Sequence, residues 1–109
     1  MERNVRRGAR QMAKEITTQG DFLEHVAGRR LVLGDSWVII TPQGGVEGVG
    51  PDRKAITGTW SWSDTYYCRS IFFDGKYLPE DFQTVTVDGD KVSFVHDRGQ
   101  GETVTWTIT

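Results

Sequence analysis

The chain is poor in the residues that build covalent or metal-centred structure. One cysteine in 109 residues, Cys68, leaves no internal disulfide and no multi-cysteine zinc or iron–sulfur centre. The two histidines, His25 and His96, fall in no HxH or HxxxH spacing, and no CxxC is present. Metal or haem ligation by His25, His96 or Cys68 therefore has no local support, and no cofactor is expected. No apolar run approaches the ~18 residues of a membrane-spanning helix, and no charged-then-apolar export signal opens the chain. A cytoplasmic location is the default expectation, with export left open if the true start lies elsewhere. A net charge of −2 argues against nucleic acid as the main partner.

Charge is unevenly spread. Residues 1–15 carry five basic groups against two acidic ones, whereas residues 16–109 carry eight basic against thirteen acidic. The basic head has no bulky apolar residues at helical spacing. Residues 1–18 read as a flexible arm or helical extension, and residues 19–109 as a single domain. Met12-Ala13 also suits a translation start, which would make residues 1–11 dispensable. One short helix follows, with Asp21 as its cap, Glu24 at capping-box spacing, Phe22, Leu23 and Val26 as its apolar stripe, and Gly28 as its stop.

From Arg29 onward the period becomes two. Twelve Thr, eleven Val and twelve aromatics suit a pleated surface. Eight strands are predicted, near 29–33, 36–41, 45–50, 54–63, 66–73, 82–87, 91–97 and 102–109. Gly34-Asp35, Gly44-Gly45, Pro51-Asp52, Asp74-Gly75, Asp88-Gly89 and Gly99-Gln100-Gly101 separate them. In residues 56–63 Ile, Gly, Trp and Trp share one face, and Thr, Thr, Ser and Ser share the other. Val104, Trp106 and Ile108 likewise oppose four threonines. One dry and one wet face mean an antiparallel sheet. Short connections favour a meander, and closure removes its exposed edges. The expected fold is all-β, a small up-and-down barrel with a short N-terminal helix at one end.

The segment from Gly58 to Arg69, with its Trp60-Ser61-Trp62 and Tyr67-Cys68-Arg69 groups, carries a resemblance. With Phe22, Val26-Ala27-Gly28-Arg29 and Asp97-Arg98-Gly99, it resembles a family of small bacterial calycin-like (lipocalin-type) proteins of unknown function, over most of residues 22–101. Members often carry the label "dihydrodipicolinate reductase". The residues do not support that activity here. Gly44, Gly45, Gly48 and Gly50 precede Pro51 and a further strand instead of a helix, so they read as hairpin and bulge glycines and not as a dinucleotide cradle. The resemblance also implies a cysteine just before Gln83 as a partner for Cys68. Phe82 stands there, which leaves Cys68 a free thiol.

The candidate pocket residues are Trp37, Trp60, Trp62, Tyr66, Cys68, Arg69, Phe94, His96, Arg98 and Trp106. An aromatic-lined pocket for a small hydrophobic or aromatic ligand is the leading reading, and indoles that simply fill the core are the alternative. Arg69 or Arg98, beside Asp64 and Asp97, could grip a ligand carboxylate, or either could close a barrel end through an ion pair or a contact to a carbonyl. Cys68 with His96 is the one nucleophile–base pair available to an enzyme, although no catalytic residue is assigned. A filled barrel acting as a protein-interaction module, including as a homodimer, is the remaining alternative.

Overall fold

The computed structural model describes residues 13–109. The remainder of the basic arm lies outside the described residues. Its last stretch, Lys14–Ile16, forms a strand, β1, which pairs with a later strand and seats Ile16 in the core at 1% exposure. Helix α1 (Gln19–His25) follows β1, so the helix is not N-terminal as expected. Its cap also lies three residues earlier than expected, at Thr18 instead of Asp21. Thr18, in extended conformation, accepts a hydrogen bond from the Asp21 N–H at 3.2 Å. Threonine at this position satisfies one of the orphan N–H groups of the first turn.

Eight further strands make the barrel: β2 (Arg30–Leu33), β3 (Ser36–Ile40), β4 (Gly45–Val49), β5 (Ala55–Ser63), β6 (Tyr66–Phe73), β7 (Lys76–Asp88), β8 (Lys91–Val95) and β9 (Thr103–Ile108). Each pairs antiparallel with its sequence neighbour, and β9 returns to β2 through Thr107–Val32 and Ile108–Leu31. The result is a closed eight-strand up-and-down barrel with β1 as an added strand. Among the described residues no helix is long and apolar enough to cross a membrane.

Two departures from the expected strands have local causes. β7 begins at Lys76, several residues before the predicted 82–87, and it includes Pro79. Proline normally argues against a paired strand. Here the register slips between Arg69–Asp81 and Ile71–Leu78, and Pro79 sits in the resulting bulge, where a missing N–H costs no ladder bond. At the other departure β8 stops at Val95, because Asp97, Arg98 and Gly99 take positive φ of 54°, 54° and 88° and turn the chain out of the sheet. Asp74-Gly75, with φ of 53° and 78°, makes the two-residue turn between β6 and β7 that matches the strand twist.

The interior is divided. Phe22 on α1 is fully buried and packs against Trp60, Trp62 and Tyr67 at centroid distances of 5.0, 5.3 and 5.1 Å. The Trp60 indole N–H donates to the Thr41 carbonyl at 2.7 Å, and the Trp62 indole N–H donates to the Asp64 carbonyl at 2.9 Å. One end of the barrel is thus sealed by a helix too short to stand alone in water. Two inward positions, Gly48 and Gly58, carry no side chain. A Cβ at Gly58 would run into the Ser70 carbonyl, and one at Gly48 into the Trp37 carbonyl, so glycine lets these strands coil tightly.

Because Phe22 is the seal, Phe22→Ala should lower stability by about 3–5 kcal/mol. Urea melts followed by far-ultraviolet circular dichroism give the value. A loss well under 1 kcal/mol would show that the helix does not hold the barrel end.

Candidate functional site

Strand parity and cross-strand register decide which side chains meet inside. Trp62 lies opposite Tyr67, Trp60 opposite Arg69, and Gly58 opposite Ile71. Directly across the next ladder, Tyr67 faces Gln83 and Arg69 faces Asp81. Tyr67, Arg69, Asp81 and Gln83 therefore form a two-by-two block on the inner surface, with neighbouring Cβ atoms ~5 Å apart.

Beside this block is a cavity of about 200 Å³. Its floor is apolar, made by Val38, Ile40, Val46 and Phe94, all buried. Ile56, Ile71, Val104 and Trp106 form the half-buried wall. The polar lining is Tyr67, Arg69, Gln83 and His96. The Tyr67 ring separates the cavity from the filled end, lying 6.0 Å from Trp60 on one side and 5.2 Å from Phe94 on the other.

The hydrogen bonds around Asp81 organise the polar side. Asp81 Oδ2 accepts from Gln83 Nε2 at 2.9 Å and lies 3.0 Å from His96 Nδ1. Asp81 Oδ1 accepts the backbone N–H of Asp97 at 3.2 Å. Burial acts to raise the Asp81 carboxyl. The hydrogen bonds from Gln83 and the Asp97 N–H, with the charges of His96 and Arg69, outweigh burial and hold it below the usual carboxylate range. Arg69 makes a different contact: its NH1 group donates to the Pro79 carbonyl at 3.0 Å, in the β7 bulge. Among the described residues no carboxylate forms an ion pair with Arg69. Burial raises the Tyr67 phenol far above its ordinary value, so it is a neutral donor at any physiological pH.

The ten residues named from sequence separate into three groups. Arg69, Phe94, His96 and Trp106 line the cavity. Trp60 and Trp62 belong to the filled end with Phe22. Trp37, Tyr66 and Cys68 lie on the outer face, each out of phase with the inward residues beside it, and Arg98 lies in the turn after β8. Trp37 stacks under the Arg30 guanidinium at 4.3 Å. Arg98 leaves the barrel with the left-handed turn and covers the Phe82 ring at 4.4 Å, with Tyr66 edge-on to the same ring at 6.3 Å. Sequence reasoning did not single out Asp81 or Gln83, and it counted Tyr67 among the aromatics without placing it inward. Only the hairpin register, read from Trp60 and Trp62 through the Asp64-Thr65 turn, could have pointed to Tyr67 as inward.

Cys68 is free and buried, directly opposite Phe82 in the ladder. Burial first, then the Glu80 carboxylate beside it, pushes its thiol up to about 11. His96 faces Asp81 on the inner side, so the register separates the two members of the nucleophile–base pair considered from sequence. On α1, Asp21, Glu24 and His25 can bring one ligand atom each within 4.8 Å, a surface grouping the sequence reading did not mark.

Comparison with family models, with curated proteins and with solved structures found no match to this chain.

Two outcomes follow from these environments. The Asp81 carboxyl titrates lower in the folded than in the unfolded chain. Its stabilisation is complete above the ordinary carboxylate pKa and fades as pH falls through the folded value. Asp81→Asn should therefore cost roughly 1–3 kcal/mol at pH 7. The deficit against wild type should shrink below about pH 4. Parallel stability curves for the two proteins would contradict this role. For Cys68, alkylation by iodoacetamide at pH 8 should be about 100-fold slower in native protein than in urea, and comparable rates would show that burial does not suppress the thiol.

Proposed function

We propose that this protein is a non-enzymatic binder of a small ligand with an apolar body, held in the open half of the barrel. The single observation behind this reading is the 200 Å³ cavity with apolar walls and a few polar groups on one side. That combination is characteristic of small-molecule sites. A closed eight-strand meander is also the architecture that a calycin-like resemblance implies, and it supports that assignment.

Volume narrows the ligand. An apolar cavity of about 150 Å³ accommodates benzene, and drug-sized ligands need roughly 300–1,000 Å³. The ligand class is therefore one aromatic ring or a compact bicycle. Haem, retinoids and long acyl chains are too large. The polar groups favour binding over catalysis. Asp81 is committed to three donors, the Cys68 thiol is on the other face with its pKa raised, and His96 has a carboxylate partner but no nucleophile.

Titration with benzene, indole, naphthalene and benzoate should perturb the intrinsic fluorescence, through Trp106 in the wall. Trp106→Phe should remove most of that response. Val104→Phe, which narrows the cavity at a half-exposed position, should weaken binding at least ~10-fold. No response to any of the four compounds, by fluorescence or calorimetry, would overturn the proposal.

A further inference from the structure

The polar side of the cavity is unbalanced in a way that specifies the ligand more closely. The cavity contains a half-buried guanidinium whose five N–H groups have one protein acceptor, the Pro79 carbonyl, among the described residues. Beside it are the Tyr67 hydroxyl, for which no partner is present among the described residues, and the second N–H of the Gln83 amide, whose first is used on Asp81. Tyr67 and Gln83 are each 4% exposed, so the cavity is the main place from which a partner could reach them. Leaving such groups unpaired costs free energy. The neighbouring acceptor, Asp81, is already engaged with Gln83, His96 and the Asp97 N–H.

We infer that the ligand is a small aromatic or aliphatic monocarboxylate, its carboxylate held by Arg69 and its body on the apolar floor. This rests on the cavity being the binding site. Charge and shape together select this class. A neutral hydrocarbon would leave the Arg69 donors unanswered. An inorganic anion would leave the apolar floor of Val38, Ile40, Val46 and Phe94 uncovered. A dianion would bring a second negative charge towards Asp81, which lies directly across the ladder from Arg69. A single carboxylate matches a guanidinium fork, and the Tyr67 hydroxyl can supply a further donor to the same group.

The test compares acids with their neutral isosteres. Benzoate and indole-3-carboxylate are titrated calorimetrically against benzamide and indole-3-carboxamide, with wild type and Arg69→Gln. Each acid should bind wild type at least ~10-fold more tightly than its amide, and in Arg69→Gln the gap should fall below ~3-fold. The amides should lose less affinity in that variant than the acids do, since their carbonyl accepts a hydrogen bond but carries no charge. If Arg69→Gln does not fold, Arg69→Lys takes its place. It keeps the charge without the fork and should lower the acid preference without abolishing it. Amides that bind wild type as well as the acids do, or an acid preference that survives loss of the guanidinium, would overturn the inference and leave the cavity reading intact. If neither acids nor amides bind, the cavity reading fails, and the inference with it.

Discussion

The barrel depends on the closure ladder between β9 and β2. Until those strands meet, the inner face is an open, apolar sheet surface with two free edges. Closure is made by two residue pairs, Thr107–Val32 and Ile108–Leu31, extended by the Thr109 N–H donating to the Arg30 carbonyl at 2.9 Å. So short a ladder needs packing behind it. Leu31, fully buried at the seam, supplies this from the inner side, with Ile108 half-buried opposite it. Strand β1 adds to the same end by pairing with Val85–Val87 of β7, whose opposite edge carries β8. The interior therefore depends on contacts between the chain's two distant ends. Contacts of such sequence separation are slow to form, which is the usual cost of a closed antiparallel topology.

A barrel of eight strands has an interior just wide enough for its own side chains to fill. Whether such a barrel holds anything is then decided residue by residue. At the α1 end, four aromatic rings from three elements pack against one another, and nothing more fits. In the other half, Val38, Val46, Gly48, Gly58 and Val104 are small, and beyond Tyr67 only two large rings, Phe94 and Trp106, line the space among the described residues. The glycines have two effects. They allow neighbouring strands to approach so closely that a Cβ would strike backbone, and they leave the inward space without a side chain. The cavity itself lies among Val38, Val46, Ile56, Ile71 and Val104, aliphatic side chains that leave open what rings fill at the α1 end.

Much of the fold was legible in the sequence because period-two alternation is a direct record of which face is dry. Residues 56–63 and 103–109 state their phase without ambiguity, and the turn glycines place the breaks. The features that were not legible have physical causes. Pro79 masks the first half of β7, since its effect depends on a bulge that only the partner strand creates. Lys14–Ile16 is too short and too charged to be recognised as a strand until β7 offers it an edge. Trp37 sits in Ser36-Trp37-Val38-Ile39-Ile40, where both phases are apolar, and pattern alone does not say which one is inside. Tyr66-Tyr67 and Cys68-Arg69 are adjacent pairs of the same kind. In the second, the charged residue faces inward and the thiol outward, against the usual ranking by polarity.

That inversion at Cys68-Arg69 bears most directly on function. Burying part of a guanidinium is expensive unless its donors are met. The structure meets one of them by an unusual route: the β7 bulge turns a main-chain carbonyl, that of Pro79, towards Arg69. A side-chain carboxylate was available at lower cost, because Asp81 is the direct cross-strand neighbour of Arg69 and an Arg–Asp pair there would neutralise both. Instead Asp81 is drawn towards Gln83, His96 and the start of the left-handed turn, where it anchors the end of β8. The bulge and the turn together keep the two opposite charges from collapsing into a closed pair. An arrangement that holds a cation open beside an apolar cavity is poorly suited to stability alone, and it is what the proposed carboxylate ligand would answer.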